Sequence, residues 1–547
     1  MKRGLDYYYF AFVCIAFALL IIGLGSYGFT ETSEARYAEI SREMFLSGDY
    51  LNPQLLGIFH FHKPPITYYI TTLGYRFFGI NEFGARFFLQ VAVIIQLLLI
   101  YGIANLLYKN KKIAFFSGLI YFSMPMVLIA SRNLTTDVYV TTFIIGSIYC
   151  WQYYTSRGKL LFLYLFYILI GLALLTKGPV ALLFILVYVI TYKVIFKSGT
   201  DMTIHNILGL LLCLGIGVSW YIFVIAENPS LWDYFINKQI ASRISSNSFN
   251  RSKPFWFYIP IIIGLLFPWW LSTIVKFRGG VNSIFMLQKE TKLLLVSSSI
   301  LFILFSLFST KLILYILPVF WMVAIFIAAR LSALTLKNKK IIALSYFVLL
   351  NLFFFTLLSL WIKKPDFIEV SSSAIIAAFL ITVSAFIVYY FIENTEMYKP
   401  VILSFLFSIA ILQVSTSVMK NNSQSINSTR EMMDFINTNG KEHKTILVYN
   451  YLLSSIPLYS DANEITINSG HNTTNREVQF QHDALWREHL WDVKDDTTIS
   501  KLRELSHNKN TYLLVRKRHG LSDDLSFLKD DFNSTKEYAK WDIYYNN

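Results

Sequence analysis

The run "YYYFAFVCIAFALLIIGLGSYGFTETSEARYAEI" (residues 7–40) decides what kind of chain this is. Twenty-four residues pass before the first carboxylate, and then Glu31, Glu34 and Glu39 follow within nine positions, with Arg36 among them. At 1.5 Å per residue, an apolar helix over 7–29 reaches about 34 Å, enough to cross a bilayer. The basic start "MKRGLD" (1–6) resembles a signal peptide, but the apolar run is too long and no small-residue cleavage pattern follows it. The segment reads as a retained first span that delivers three carboxylates to the far side of the membrane.

The rest of the 547-residue chain repeats the pattern. It is 55% hydrophobic and only 15% charged, against about a quarter charged in soluble domains. Apolar runs near 88–108, 113–130, 138–154, 160–175, 180–197, 206–226, 255–275, 293–308, 312–329, 341–361, 373–392 and 401–418 bring the expected spans to about thirteen. The fold class is therefore a polytopic α-helical membrane protein. The formal charge of +14 belongs to its short loops. "KNKK" (109–112), "SRGK" (156–159), Lys276, Arg278, Lys289, Lys292 and "LKNKK" (336–340) all fall on one side, which the positive-inside rule makes cytoplasmic. "IKKPD" (362–366) is the exception. No basic stripe with interleaved aromatics marks a nucleic-acid partner. Cys14, Cys150 and Cys213 lie in apolar runs, without the pairing or spacing of a disulfide framework or a metal site.

The outer side receives a long loop (30–87), a shorter one (227–254) and everything after about 418. The expected division is a membrane domain over 1–418, including the loop 30–87, and an outward α/β domain over 419–547. In the latter, "TREMMDFINTNG" (429–440) reads as a helix stopped by Gly440. "TILVYNY" (445–451), "EITIN" (464–468), "TYLLVRKR" (511–518) and "WDIYYN" (541–546) read as strands.

Candidate chemistry gathers at outer helix ends. "SEARYAEISREMF" (33–45) carries Tyr37, Ile40 and Met44 at helical spacing, so it reads as an outward amphipathic helix lying along the membrane surface. Thr32 or Ser33 would cap it, with Glu34 in its first turn. Glu39 and Glu43 read as solvated partners of Arg36 and Arg42. Glu31 and Glu34, between a span and a buried-looking loop, are better candidates for a site. In "LLGIFHFHKPPITYYI" (55–70) two prolines fix an extended path and hold His60, His62 and Lys63 beside aromatics. A positioned lysine suits a phosphate. A divalent metal on His60 and His62 would lack further ligands, so the metal question stays open.

Asp137, in "RNLTTDVY" (132–139), sits at the mouth of a span, where an ionisable residue is costly without a function. Lys177 in "TKGP" (176–179) either snorkels or joins that site. The loop 227–254 offers Lys238, Arg243 and Arg251, followed by the aromatic belt "KPFWFYIP" (253–260). "FSTKLILYILP" (308–318) places Lys311 and Tyr315 one helical turn apart on one face. Cations and carboxylates on one side of the membrane suit an anionic lipid headgroup whose tail stays in the bilayer.

These segments resemble a known family. "SEARYAEISREMFLSGDYLNPQLLG" with "FHKPP", then "TKGP", "PFWFYIP…PWW" and "KLILYILP" in order, are similar to the bacterial polyprenyl-phosphate-sugar glycosyltransferases. These form part of the C-type membrane superfamily that includes protein O-mannosyltransferases, and the likeness is greatest to the lipid A 4-amino-4-deoxy-L-arabinose transferases. The resemblance implies inverting transfer of a sugar from undecaprenyl phosphate to lipid A or another envelope acceptor. It places the multi-pass chain in the bacterial inner membrane, with site and C-terminal domain facing the periplasm. Glu31 or Glu34, with Asp137, would be the acids. Lys63, Arg243, Lys311 and Tyr315 would face the donor phosphate, and His62, Arg36, Tyr37 and Lys177 would line the substrate. Where that branch shows Asp-Glu before "RYAE", this chain has Ser33-Glu34, and His62 replaces a glutamate before the "KP" lysine. Two other functions remain: a protein O-glycosyltransferase, and a transporter of a lipid-linked sugar. The transporter lacks support from inverted repeats or mid-membrane polar residues.

Overall fold

A computed structural model describes residues 4–199, 202–241, 252–274, 287–332, 336–392, 398–439, 443–471 and 474–547. The chain divides into two compact units. The first comprises Met1–Leu24, Phe87–Pro365 and Glu369–Val418, and the second Gly25–Arg86, Asp366–Ile368 and Met419–Asn547. The loop 30–87, which the apolar pattern groups with the membrane domain, falls almost wholly in the second unit.

In the first unit every expected apolar run contains helix, but the runs are not equivalent. Among the described residues, eight helices are long and apolar enough to cross a membrane: Glu82–Tyr108, Leu160–Lys177, Ile204–Glu227, Lys289–Leu307, Ile313–Ser332, Lys339–Lys363, Ser372–Phe391 and Tyr398–Asn421. A ninth arises if Lys111–Phe122 and Pro125–Ser131, bent by 61°, form one broken span. Pro125 breaks it because proline lacks an N–H and clashes with the preceding turn. Leu5–Ile21, Val180–Phe196 and Phe255–Leu265 are shorter. The chain is a polytopic helical membrane protein, and its first helix differs from expectation. Gly4–Ile21 ends eight residues before Phe29, because the chain turns through Gly23 at φ +70°, a conformation glycine adopts without steric cost. Thr136–Arg157 is buried along most of its length despite many polar residues. Thr141 and Thr142 return their hydroxyls to the helix carbonyls of Asp137 and Val138, at 2.7 and 3.0 Å, so they can be buried without an unmet hydrogen bond.

In the second unit, helix Ser33–Ser47 forms where the spacing expects it, closing on Gly48 in the left-handed region with its N–H on the Met44 carbonyl. The hydroxyls of Thr32 and Ser33 make no cap bond. Glu34 reaches back instead, its Oε2 accepting from the Thr30 N–H at 3.0 Å. A two-residue turn at Leu56–Gly57, both at positive φ, joins strands β1 (Gln54–Leu55) and β2 (Ile58–Phe59). The prolines do not prolong an extended path. Pro65 is the residue before helix Ile66–Phe78, a position where its fixed φ favours helix initiation.

The C-terminal part is an α/β sheet of six strands: β3 (Thr445–Tyr449), β4 (Asn463–Asn468), β5 (Leu490–Asp492), β6 (Thr511–Arg516), β7 (Ser534–Glu537) and β8 (Trp541–Tyr545). Their order is β5-β4-β3-β6-β8-β7, parallel as far as β6 and antiparallel from there. All four expected strands are present; β5 and β7 are short or polar and gave no periodic signal. The central strands "TILVY" and "TYLLVR" are apolar on both faces because both are covered. Ile446, Val448 and Leu514 pack under helix Arg430–Asn439 through Met432, Met433 and Ile436. Leu447, Leu513 and Val515 pack under helix Asp496–Ser506 through Leu502.

Candidate active site

Two charged clusters, one in each unit, contain most of the expected site residues. In the membrane unit, Asp137 occupies the first turn of helix Thr136–Arg157, and Lys177 the last turn of Leu160–Lys177, which Gly178 ends at φ +80°. The Lys177 ammonium forms an ion pair with Asp137 Oδ1. The side chains are only 10% and 9% exposed, so water screens the pair weakly. The same ammonium lies 4.5 Å from the centre of the Tyr315 ring, a cation–π contact. Lys177 does not snorkel to solvent; it bridges two other expected site residues.

Tyr315 lies on a 3-10 segment, Ile313–Val319, that precedes helix Phe320–Ser332. This segment is pinned to the aromatic belt of the preceding loop. Ser252 and Thr310 form an antiparallel bridge, the Lys253 N–H donates to the Ser309 carbonyl at 3.2 Å, and the Tyr258 hydroxyl donates to Leu312 O at 3.1 Å. Lys311 completes the clasp. It is 2% exposed, and its ammonium donates to the carbonyls of Lys253 at 2.8 Å and Phe308 at 2.5 Å. Because 3-10 geometry replaces the expected α-turn, Lys311 and Tyr315 do different things: one holds backbone, the other faces Lys177. Arg132 carries a role that its motif did not disclose. Its Nη2 donates to the carbonyls of Ile22 and Leu19 at 3.2 and 3.5 Å, meeting unpaired acceptors at the end of the first helix. Arg243 and Arg251 lie outside the described residues.

The second unit holds the carboxylates of the first loop. Glu34 is 2% exposed and Arg86 fully buried. Arg86 Nε donates to Oε1 at 2.8 Å and Nη2 to Oε2 at 2.9 Å, while Nη1 and Nη2 also reach the carbonyls of Tyr27 and Gly28 at 2.9 and 3.0 Å. The guanidinium lies 3.9 Å over the Tyr27 ring. Glu31 is anchored differently: its Oε1 accepts from both the N–H and the hydroxyl of Ser455, each at 2.7 Å. Burial pushes its carboxyl up to about 7, although the Ser455 hydrogen bonds and the nearby Arg36 charge pull the other way.

Glu39 corrects the reading of a solvated face. It is fully buried, bonded in two places to Arg42 at 2.8 Å, and burial raises its carboxyl well above the usual range. Helix Ser33–Ser47 is covered on more than one side, so a single amphipathic stripe does not describe it. Ile40 and Met44 pack with Leu55, Leu56, Tyr68 and Leu452, and Tyr37 joins the edge of that cluster.

His62 Nε2 lies 2.7 Å from Glu477 Oε1, and its ring is 4.0 Å from that of His60. Burial lowers the affinity of both histidines for a proton, His60 more strongly, and the charge of Arg36 acts in the same direction. Lys63 is half-buried beside them. Among the described residues, no three of His, Cys, Asp and Glu converge as a metal ion would require. Arg86, Arg476 and Glu464 escaped the sequence reading. Arg476 donates to the carbonyls of Leu55 and Ile58, pinning the first-loop hairpin. Glu464 is 4% exposed, and burial, followed by the charges of Glu31 and Glu39, keeps its carboxyl well above the usual range. Only Arg86 carried a signal: an ionisable residue at the start of an apolar run invites the question of its partner.

The fold, a helical membrane unit with an α/β sheet at the end of the chain, has counterparts among solved structures. The chain aligns over 100% of its length with ArnT from Cupriavidus metallidurans bound to undecaprenyl phosphate, covering 99% of that chain at a TM-score of 0.74 and 18% identity. The apo form of the same protein aligns equally well, at 0.74 and 18%, over 99% of this chain and 98% of that one. Residues 7–235 match the family described as dolichyl-phosphate-mannose-protein mannosyltransferase. The chain is related in sequence to the undecaprenyl phosphate-alpha-4-amino-4-deoxy-L-arabinose arabinosyl transferases. It is 32% identical to transferase 2 of Proteus mirabilis over 243 residues, 44% of each chain. It is 27% identical to that of Pectobacterium carotovorum over 342 residues, 61% of each. The matches thus span about half the length of these curated relatives.

Proposed function

We propose that the protein transfers an amino sugar from an undecaprenyl-phosphate carrier to lipid A or a related envelope glycolipid, at the periplasmic face of the bacterial inner membrane, with about thirteen crossings. The relationship to the aminoarabinose transferases supports this reading, and the observation that carries it is the Asp137–Lys177–Tyr315 cluster. A buried, oriented ammonium suits a leaving phosphate in a water-poor site, where such a charge contributes several kcal/mol to the transition state.

Transfer would proceed by one inverting displacement. The acceptor oxygen attacks the anomeric carbon as its bond to the carrier phosphate breaks. Lys177, with Arg243 as the resemblance implies, would stabilise the departing phosphate. Lys311, its ammonium on two carbonyls, would hold the Tyr315 segment in place. A phosphate acceptor on lipid A is already ionised and needs little base strength. A hydroxyl acceptor needs a base, and Glu31, half-ionised near neutral pH, is the better candidate of the two glutamates, since Glu34 is committed to Arg86.

Lipid A from cells with and without the protein, compared by mass spectrometry, tests the proposal. The added amino-sugar mass should appear only with the intact protein. The match to protein mannosyltransferases favours one other reading, transfer to a protein hydroxyl. Unchanged lipid A alongside newly glycosylated envelope proteins would establish that instead.

A further inference from the structure

Two hollows in the membrane unit share a rim. One is an apolar groove of about 640 Å³ between helices Gly4–Ile21, Lys111–Phe122 and Tyr398–Asn421, walled by Phe12, Phe115, Phe116, Tyr398 and Phe405. Its aromatic rings contact one another: Phe12 lies 5.9 Å from Phe405, and Phe116 lies 5.9 Å from Tyr398. The other hollow, of about 890 Å³, is lined by Lys109, Lys111, Lys112 and Arg157 with Asn105 and Asn110. Leu5 and Lys112 line both. Lys111 pairs with Asp6, which also accepts from the Tyr101 hydroxyl.

From this juxtaposition we infer that the paired hollows hold one anionic phospholipid, its acyl chain in the aromatic groove and its phosphate among Lys109, Lys112 and Arg157. A free phosphate would need no groove, and an apolar molecule would need no cations. The groove is within the usual range of ligand pockets, about 300 to 1,000 Å³. Each basic residue near the surface strengthens anionic-lipid binding roughly fivefold. The site is separate from the transfer chemistry. Arg157 ends the helix whose first turn bears Asp137, so the two groups stand about 30 Å apart along its axis. The lipid would therefore brace the first helix against the last one of the membrane unit, from the opposite leaflet.

The test uses the full-length protein in detergent, stripped of lipid and titrated with phosphatidylglycerol, phosphatidylcholine or glycerol phosphate, with bound molecules counted by native mass spectrometry. One phosphatidylglycerol should be retained roughly tenfold or more tightly than phosphatidylcholine. The double variant Lys112→Ala/Arg157→Ala should lose roughly tenfold or more of that affinity. Ala11→Trp or Ile402→Trp, which fill the groove while leaving the cations, should weaken retention of phosphatidylglycerol. Equal retention of the two lipids, or retention unchanged in both kinds of variant, overturns the inference. So does displacement of phosphatidylglycerol by glycerol phosphate at equal concentration, which would assign the cations to a soluble anion.

Discussion

Arg86 grips Glu34 through two parallel hydrogen bonds, Nε to Oε1 at 2.8 Å and Nη2 to Oε2 at 2.9 Å, with both side chains out of contact with water. Fork-to-fork pairing of this kind is the strongest arrangement open to an arginine and a carboxylate. It makes Glu34 a fixed part of the fold. Because the remaining partner would be left as an uncompensated buried charge, Arg86→Ala should destabilise the protein by about 3–5 kcal/mol. Thermal unfolding in detergent measures this, and Glu34→Gln should fall short of it, since an amide can still accept from Arg86.

The Asp137–Lys177 pair should behave as catalytic machinery. Lys177→Ala is expected to lower the transfer rate roughly 100- to 1,000-fold, the usual cost of removing one preorganised charge stabiliser. Asp137→Asn should lower it less, because the ammonium remains but loses its orientation. Tyr315→Phe keeps the ring beneath the ammonium and should stay within about tenfold of the parent, whereas Tyr315→Leu removes a contact of about 0.5–2 kcal/mol. Transfer rates with a purified undecaprenyl-phosphate donor would distinguish the four.

Glu31 should make stability depend on pH. Its carboxyl is raised from an ordinary value near 4.5 to about 7 in the fold, so folding favours the protonated form. That contribution is complete below about pH 4.5 and is lost as pH rises through 7, amounting to about 3 kcal/mol at most. Glu31→Gln should flatten this part of the profile and gain relative to the parent above pH 7. Melting temperatures between pH 5 and pH 8 supply the comparison. If Glu31 is the base for a hydroxyl acceptor, the same variant loses activity at every pH.

His60 and His62 act in the opposite direction. Burial holds both below the ordinary histidine value of 6.5, so the stability they contribute is present above pH 6.5 and declines as pH falls. His62→Ala should also remove the hydrogen bond to the buried Glu477 carboxylate, at a cost of about 1–3 kcal/mol. Unfolding of the His62→Ala and Glu477→Gln variants at pH 7.5 and 5.5 would show the loss and its pH dependence.

Much of this architecture is local and could be read from spacing. The helix at 33–47, the four longer strands, the helix at 430–439 and the apolar runs all have periods or lengths that belong to their own segment. The short strands β5 and β7 and the helix after Pro65 lacked such a signal. Of the candidate site, Asp137, Lys177 and Tyr315 were individually visible as ionisable or aromatic residues at helix ends. That one ammonium serves both of the others was not. Glu39 shows the limit most plainly: a carboxylate at helical spacing from an arginine looks solvated unless it is known what packs against the helix.

The sequence by itself determined that this chain crosses a membrane many times, carries an α/β sheet at its end and resembles polyprenyl-phosphate-sugar transferases, because hydropathy and motif order are properties of contiguous residues. Only the tertiary structure decided which of its charges are committed elsewhere. Glu34 meets Arg86 across 52 residues, and Glu31 meets Ser455 across 424. No local pattern encodes such partners, and a buried carboxylate is anchor or reagent according to the donors that surround it.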